Sequence, residues 1–447
     1  MASGGGAAAV PRPPRAQASA RGGRRKHQTP SLPLDIVVEI AARSDPATLH
    51  RCAATCTDVR RRVVADDGGR AFRRHLRLRH ADRFVPSLLR GHLEFRYAGK
   101  YTNIMDLHLV GITAAGTTTA RPLTAADGFP PPPSGKPAYW RHMPVASRDG
   151  LVLVRTTEWQ PRSEELRVCD PATGHSRTLP PEPAFPTTPG TAQQLWEPYV
   201  LLVGDGDGAA GGVRPFQVLK ANLVMSKHHR YLQTQIFSSE TGVWGGYTEI
   251  RAPHLHCSSL IWGGKPMVAG GAVHWLCITN SESYVVKLDI TTAQVTVAAL
   301  PASFPRSERY GEIDYLLATA MAAAGGGELM VLVVDNKKNN ISAWVQTKTP
   351  MAKWKQRPQV VLEYEAMLRF RNMNIRGMCT FSVSLHWFAE RSGLVLLSGS
   401  GYGEFWLDIR SMEIVRWFPG SPCRYGNNCL PYEMNLSSWA PRFSNTI

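Results

Sequence analysis

The feature that most constrains this chain is a turn that returns at a fixed interval. An apolar strand runs into Asp170, a polar turn follows, and a second strand closes at Leu179 and Pro180. The same arrangement recurs at Asp289, closing at Leu300 and Pro301, and at Asp408, closing at Phe418 and Pro419. Both intervals between the aspartates are 119 positions. Fainter copies over residues 236–244 and 341–354 halve that interval. A second element, a strand led by a small residue, begins at Gly150, Gly271, Gly327, Ser384 and Gly393. Asp at a strand end accepts local backbone N–H groups, and Gly supplies the positive φ of a tight turn.

A hairpin unit repeated this way cannot bury both faces alone, so it must stack on its neighbours and close into a ring. Half of the aspartate interval falls near the ~50 residues of a kelch-like blade. The expectation is an all-β domain over residues 139–440, a β-propeller of five or six blades, with a β-sandwich as the alternative. The composition agrees: 39 Gly and 33 Pro in 447 residues suit many short strands joined by turns. No apolar run approaches the ~20 residues of a membrane span, so no membrane partner is expected.

The net charge of +16 is unevenly placed. Residues 1–100 hold 20 Lys and Arg against 8 Asp and Glu, which leaves the rest of the chain nearly neutral. A nucleic-acid-binding surface on the β domain is therefore not expected. The eight cysteines form no C-x-x-C pair and sit in apolar runs, which fits reduced thiols in the nucleus or cytoplasm. Residues 1–30 carry almost no large apolar side chain and are expected to be a disordered basic tail. Their basic cluster at 21–26 fits a nuclear import signal, and the lack of acid before Asp35 also fits a transit peptide.

Residues 31–80 read as helices. Ser31 and Pro33 suit a helix start, and Asp35 and Glu39 favour its positive end. Leu34, Val37 and Ala41 fall on one stripe, and Ile36 and Ile40 on an adjacent one. A second start lies at Asp45 and Pro46, and a third helix spans 57–64. Residues 71–80 form a basic amphipathic helix candidate, and 81–138, with prolines at 130–133, read as a connecting segment. Three helices in so few residues bury too little to stand alone, which marks the unit as a docking module.

These residues resemble the F-box family. The chain has Leu32, Pro33, Leu34 and Asp35, then Glu39, Ile40 and Arg43, then Leu49, and Cys56 through Arg60. Val59 stands where the family pattern has Trp. The resemblance implies docking to a Skp-family adaptor, and through it a cullin–RING assembly, by Leu32, Pro33, Ile36, Val37, Ile40, Leu49, Cys56 and Val59. The region after 139 is similar to F-box-associated β domains of plants, particularly grasses. Residues 147–151, 237–244, 271–276 and 431–434 carry that likeness. It implies a domain that recognises a protein target.

Other constellations carry less. His254, His256 and Cys257 lack a fourth ligand at a recognisable spacing, and Cys423 and Cys429 flank a turn-rich loop. The glycine-rich residues 204–212 lack the Lys-Ser/Thr of a phosphate loop and read as a surface insertion. His274 and His386 each precede Trp at what read as matching repeat positions, and are expected to be packing elements of the repeat. No catalytic motif is present, and no metal or cofactor is expected. The expectation is a non-catalytic substrate receptor of a ubiquitin ligase complex. The alternatives are a propeller binding a carbohydrate or small molecule, and a nucleic-acid-associated protein acting through its basic N-terminal region.

Overall fold

The computed structural model describes residues 32–43, 46–64, 72, 83–97, 105–112, 118–129, 141–157, 165–186, 198–204, 214–225, 230–252, 260–279, 281–307, 311–320, 328–347, 353–370, 382–418 and 429–435. The expected N-terminal tail, most of the 71–80 helix, the loop at 205–212 and the His254, His256, Cys257 and Cys423 positions lie outside the described residues.

Three helices open the chain: α1 (Leu34–Arg43), α2 (Pro46–Thr55) and α3 (Thr57–Val64). The carbonyl of Pro33 accepts from the amides of Ile36 and Val37, so α1 starts where the preset φ of proline favours it. Ala41, Leu49, Ala53, Val59 and Val63 pack with Phe72, Val85 and Leu88 into one small core. The last two residues belong to the strand-bound segment after the helices, so the helical unit borrows part of its core from the start of the β domain. Asp35 and Arg62 add an exposed pair between α1 and α3 at 3.1 Å.

Among the described residues the strands form six antiparallel sheets, the blades of a propeller. One runs β4 (Arg141–Arg148), β5 (Leu151–Thr157), β6 (Glu165–Asp170) and β7 (His175–Thr178). The next holds β8 (Tyr199–Val203), β9 (Phe216–Met225), β10 (Arg230–Ser238) and β11 (Thr248–Arg251). In the third, β12 (Leu260–Gly263) and β13 (Met267–Ala269) share one edge of β14 (Ala272–Thr279), followed by β15 (Ser283–Asp289) and β16 (Gln294–Ala299). The fourth comprises β17 (Ile313–Thr319), β18 (Leu329–Asp335), β19 (Asn340–Val345) and β20 (Gln359–Glu363), with the short helix α4 (Tyr364–Phe370) after it. The fifth is β21 (Val383–Ala389), β22 (Leu394–Gly399), β23 (Gly403–Asp408) and β24 (Glu413–Phe418).

The sixth blade joins distant parts of the chain. β1 (Leu89–Tyr97), β2 (Met105–Ile112) and β3 (Thr118–Pro122) supply three strands, and β25 (Leu430–Glu433) adds the innermost one beside β1. Residues 89–122, expected as part of a connecting segment, are thus three strands of the propeller, and the domain begins well before residue 139. The innermost strands meet in ring order, β25 against β4, β4 against β8, β13 against β17, β17 against β21 and β21 against β25. The blade count is six, and the sandwich alternative is excluded.

The repeat has a physical cause. Asp170, Asp289 and Asp408 lie between the third and fourth strands of alternate blades, so the interval of 119 spans two blades. The Asp289 carboxylate accepts from the amides of Thr291 and Thr292 at 3.0 and 2.9 Å, and Asp408 does so from Arg410 at 2.8 Å. Four residues after each aspartate the backbone turns left-handed, at Gly174, Ala293 and Met412. The matched positions read for His274 and His386 do not hold. His274 lies on the second strand of its blade and His386 on the innermost strand of another. His274 is buried and His386 half-buried, its Nε2 2.7 Å from Ser398 Oγ, and burial pushes both imidazoles down, to about 4 and about 3.

Gly91 marks the closing seam. Its φ is +146°, and it sits where the β1–β25 register shifts. A Cβ there would lie 2.0 Å from the Val110 carbonyl oxygen of β2. Gly91→Ala is expected to lower folding stability by about 2 kcal/mol or more, read as a fall in the thermal midpoint. Ala293→Gly should act oppositely and raise stability by about 1 kcal/mol, since exposed Ala293 holds a φ of +54° that glycine adopts without strain.

Candidate functional site

Two surfaces could carry function, the face of α1 and the axis of the ring. On α1 the two stripes read from the sequence part ways. Val37 is half-buried and Ala41 fully buried on the inner stripe, whereas Ile36 and Ile40 are 47% and 49% exposed. Leu32 and Leu34 are 60% and 37% exposed, and Pro33 is exposed beside them. These four large side chains are half of the eight that stand exposed among the described residues. Isolated exposed leucines need no explanation, but Ile36 and Ile40 stand one turn apart on the same exposed face of α1. The eight residues expected to touch an adaptor therefore divide. Leu32, Pro33, Ile36 and Ile40 face solvent, Val37 and Cys56 are half-buried, and Leu49 and Val59 lie inside the helical core. The last two can shape a docking face only by supporting it.

At the axis, one cavity of about 100 Å³ is lined by residues of the innermost strands of all six blades. Pockets for sugars and similar ligands run to ~300–1,000 Å³, so this one holds a few waters at most. The reason is a set of ties across the ring. Residues 264–266 interrupt the inner strand between β12 and β13, because Pro266 has no N–H for a ladder. From this break the Lys265 ammonium donates to the carbonyls of Cys429 at 2.9 Å and His386 at 3.3 Å. The Glu390 carboxylate accepts from the Val268 amide at 3.0 Å and from the Arg148 guanidinium.

The mouth of the cavity is a network of buried charges. Both oxygens of Asp149 accept from Arg391 at 3.2 Å, and its carbonyl accepts from Arg214. Burial alone would raise the Asp149 carboxyl, but the Arg391 and Arg148 charges outweigh it and hold it below the usual carboxylate range. Glu433 accepts from the amides of Ser392 at 2.7 Å and Arg391 at 3.1 Å. Those bonds do not offset its burial, which pushes the carboxyl up to about 7. Two short motifs noted in the sequence, 147–151 and 431–434, meet here: a Cβ on Gly150 would lie 4.0 Å from the Glu433 carbonyl oxygen. Nothing in either segment announces the other, nor Lys265 or Glu390, because ring closure alone makes them neighbours.

A third cluster lies between the closing blade and its neighbour. His92 and Glu94 alternate on one face of β1, and Glu404 comes from β23. His92 is fully buried, with Nε2 at 3.3 Å from Glu94 Oε2 and 3.6 Å from Glu404 Oε2. Arg96 pairs with the other oxygen of Glu94. Burial would lower the imidazole, but Cys429 and the two glutamates outweigh it and push it up to about 9. Sequence reasoning passed over this cluster because His-x-Glu on a strand is unremarkable without its third member.

The sequence matches, over residues 140–438, the family described as "Domain of unknown function (DUF7595)", and the chain belongs to that family. The match begins as β4 begins and ends just past β25, so it takes in five blades and the innermost strand of the sixth. No curated protein matches the chain. Solved structures it is similar to include a luciferin-regenerating enzyme, at 8% identity and a TM-score of 0.33, over 65% of this chain and 78% of that one. Another is the α-L-arabinofuranosidase Arb93A from Fusarium graminearum, at 10% identity and a TM-score of 0.35, over 71% and 89%. A third is the hydrazine synthase of Kuenenia stuttgartiensis, at 9% identity and a TM-score of 0.38, over 82% and 50%. Likenesses this remote say nothing of activity.

Glu433 gives a pH signature. Its folded value near 7 lies above the ~4.3 of a free glutamate, so the fold binds this proton more tightly than the unfolded chain does. Stability from this group is present at low pH and is lost as pH rises through 7. The stability gained from pH 8 to pH 6, read from denaturant midpoints, is expected to be about 1 kcal/mol smaller in Glu433→Gln than in the parent chain.

Proposed function

We propose that this member of the family is a substrate-recognition subunit of a Skp–cullin–F-box ubiquitin ligase. The observation that carries the reading is the exposed apolar stripe of Ile36 and Ile40, with Leu32 exposed just before the helix, borne on the segment whose residues resemble an F-box. A helical unit with a filled core and a second apolar stripe left in water has surface to bury against another protein. In this reading the stripe docks a Skp-family adaptor, and Leu49 and Val59 hold the helices that present it.

The propeller then holds a protein target. Its axis is tied shut by its own lysine, arginines and carboxylates, which favours recognition on the outer loops over binding of a sugar or small molecule within. The chain itself does no chemistry in this scheme. It raises the concentration of target lysines near the ubiquitin thioester, a contribution of proximity.

The test is capture of a purified Skp-family adaptor by the full chain and by a variant carrying Leu32→Ala, Pro33→Ala and Ile40→Ala. All three side chains are exposed, so the variant should fold as the parent does. Its affinity is expected to fall about 100-fold or more, as when several anchor residues leave an interface. Leu49→Ala serves as a contrast, since it empties the helical core and costs about 3 kcal/mol of stability instead of trimming the face. A folded parent chain that captured neither adaptor nor cullin would sink the proposal.

A further inference from the structure

The His92, Glu94 and Glu404 cluster has the geometry of a first coordination sphere. We propose that it binds one divalent transition-metal ion of the zinc type, which staples the closing blade to the blade beside it. This site is independent of the ligase reading.

Three observations carry it. The first is spacing. Bonds of 2.0–2.1 Å from zinc to imidazole nitrogen and carboxylate oxygen place tetrahedral ligand atoms about 3.4 Å apart. The two distances from His92 Nε2, to Glu94 Oε2 and Glu404 Oε2, are 3.3 and 3.6 Å. The three ligand atoms all lie within 4.8 Å of one another. The second is composition and burial. One imidazole and two carboxylates suit a borderline cation, and all three residues are buried, unlike the acidic groups that line a solvated surface. A bound ion would take the place of the proton that His92 shares with the two carboxylates.

The third is rigidity. Glu94 is held by Arg96, and the His92 ring is packed between Trp387 and Phe418, at 6.2 and 6.5 Å between centroids. A ligand set fixed by neighbours loses little freedom on binding. The location also makes sense of a staple. β1 is the strand that pairs with β25, and β23 belongs to the adjacent blade. An ion bridging them would resist opening of the seam. Lys265 and the Asp149 and Glu433 network lie on the axis, so the ion would not substitute for them.

The full-length protein, stripped with a chelator and dialysed, would be titrated with zinc chloride by calorimetry and then with cobalt chloride by visible absorption. One equivalent is expected to bind, with the intense ligand-field bands of a four-coordinate cobalt ion. At a hundredfold excess over Kd, zinc should raise the thermal midpoint by about 4 °C. Glu404→Gln should abolish both the bands and the shift while leaving the apo protein folded by circular dichroism. If that variant fails to fold, the cobalt spectrum of the parent chain still decides between bound imidazole and carboxylate and the pale octahedral aquo ion. No binding, or binding unchanged in Glu404→Gln, overturns the proposal and leaves the cluster a buried ion triad only.

Discussion

Everything in the β domain depends on the pairing of β25 with β1. A propeller is a sheet array with no beginning once it is closed and two raw edges until then. The four residues of β25 supply the ladder, with Leu93 opposite Leu430 and His92 opposite Pro431. They also deliver Glu433 to the amides of Arg391 and Ser392, so the same short strand completes the last blade and anchors the axis. The helical unit hangs from this seam too. The Val85 amide donates to the Arg391 carbonyl, and the Met434 amide to Leu88, which itself belongs to the helical core.

The axis shows how a ring of six blades avoids a hollow centre. Apolar side chains on inner strands cannot meet across the full width of a six-fold ring, and water would enter the gap. Here a long lysine of the third blade and a glutamate of the fifth reach across it, and arginines complete their partners. Buried ion pairs contribute little net stability against an apolar alternative, but they are directional. They fix which blade faces which, and they leave Glu433 as the member whose charge costs most.

Much of this fold was legible in the residues. The aspartate turns announced the blades because one carboxylate must meet particular amides, and Asp289 and Asp408 do so with the same geometry. The closing blade was not legible, since a blade built from residues 89–122 and 430–433 has no local repeat to display. The prolines at 130–133 also suggested a linker where strands had already begun. On α1, helical periodicity separated Leu34, Val37 and Ala41 from Ile36 and Ile40, and the structure keeps that division except at Leu34, which is exposed at the start of the helix. It also moves Leu49 and Val59 from the expected face into the core, a distinction that depends on the crossing of three helices. The axial charges and the His92 cluster depend on ring closure, and no window of sequence contains them.

The split blade also bears on the order in which the molecule can be completed during synthesis. Helices and strands β1 to β3 leave the ribosome early, but β1 keeps an unpaired edge until residues 430–433 arrive. For most of translation the nascent chain is an open arc with its first edge exposed. A message cut short between β24 and β25 yields a protein with five finished blades and an unpaired β1 edge, open to pairing with another chain. Among the described strands, β25 is therefore the one whose arrival turns the open arc into a ring.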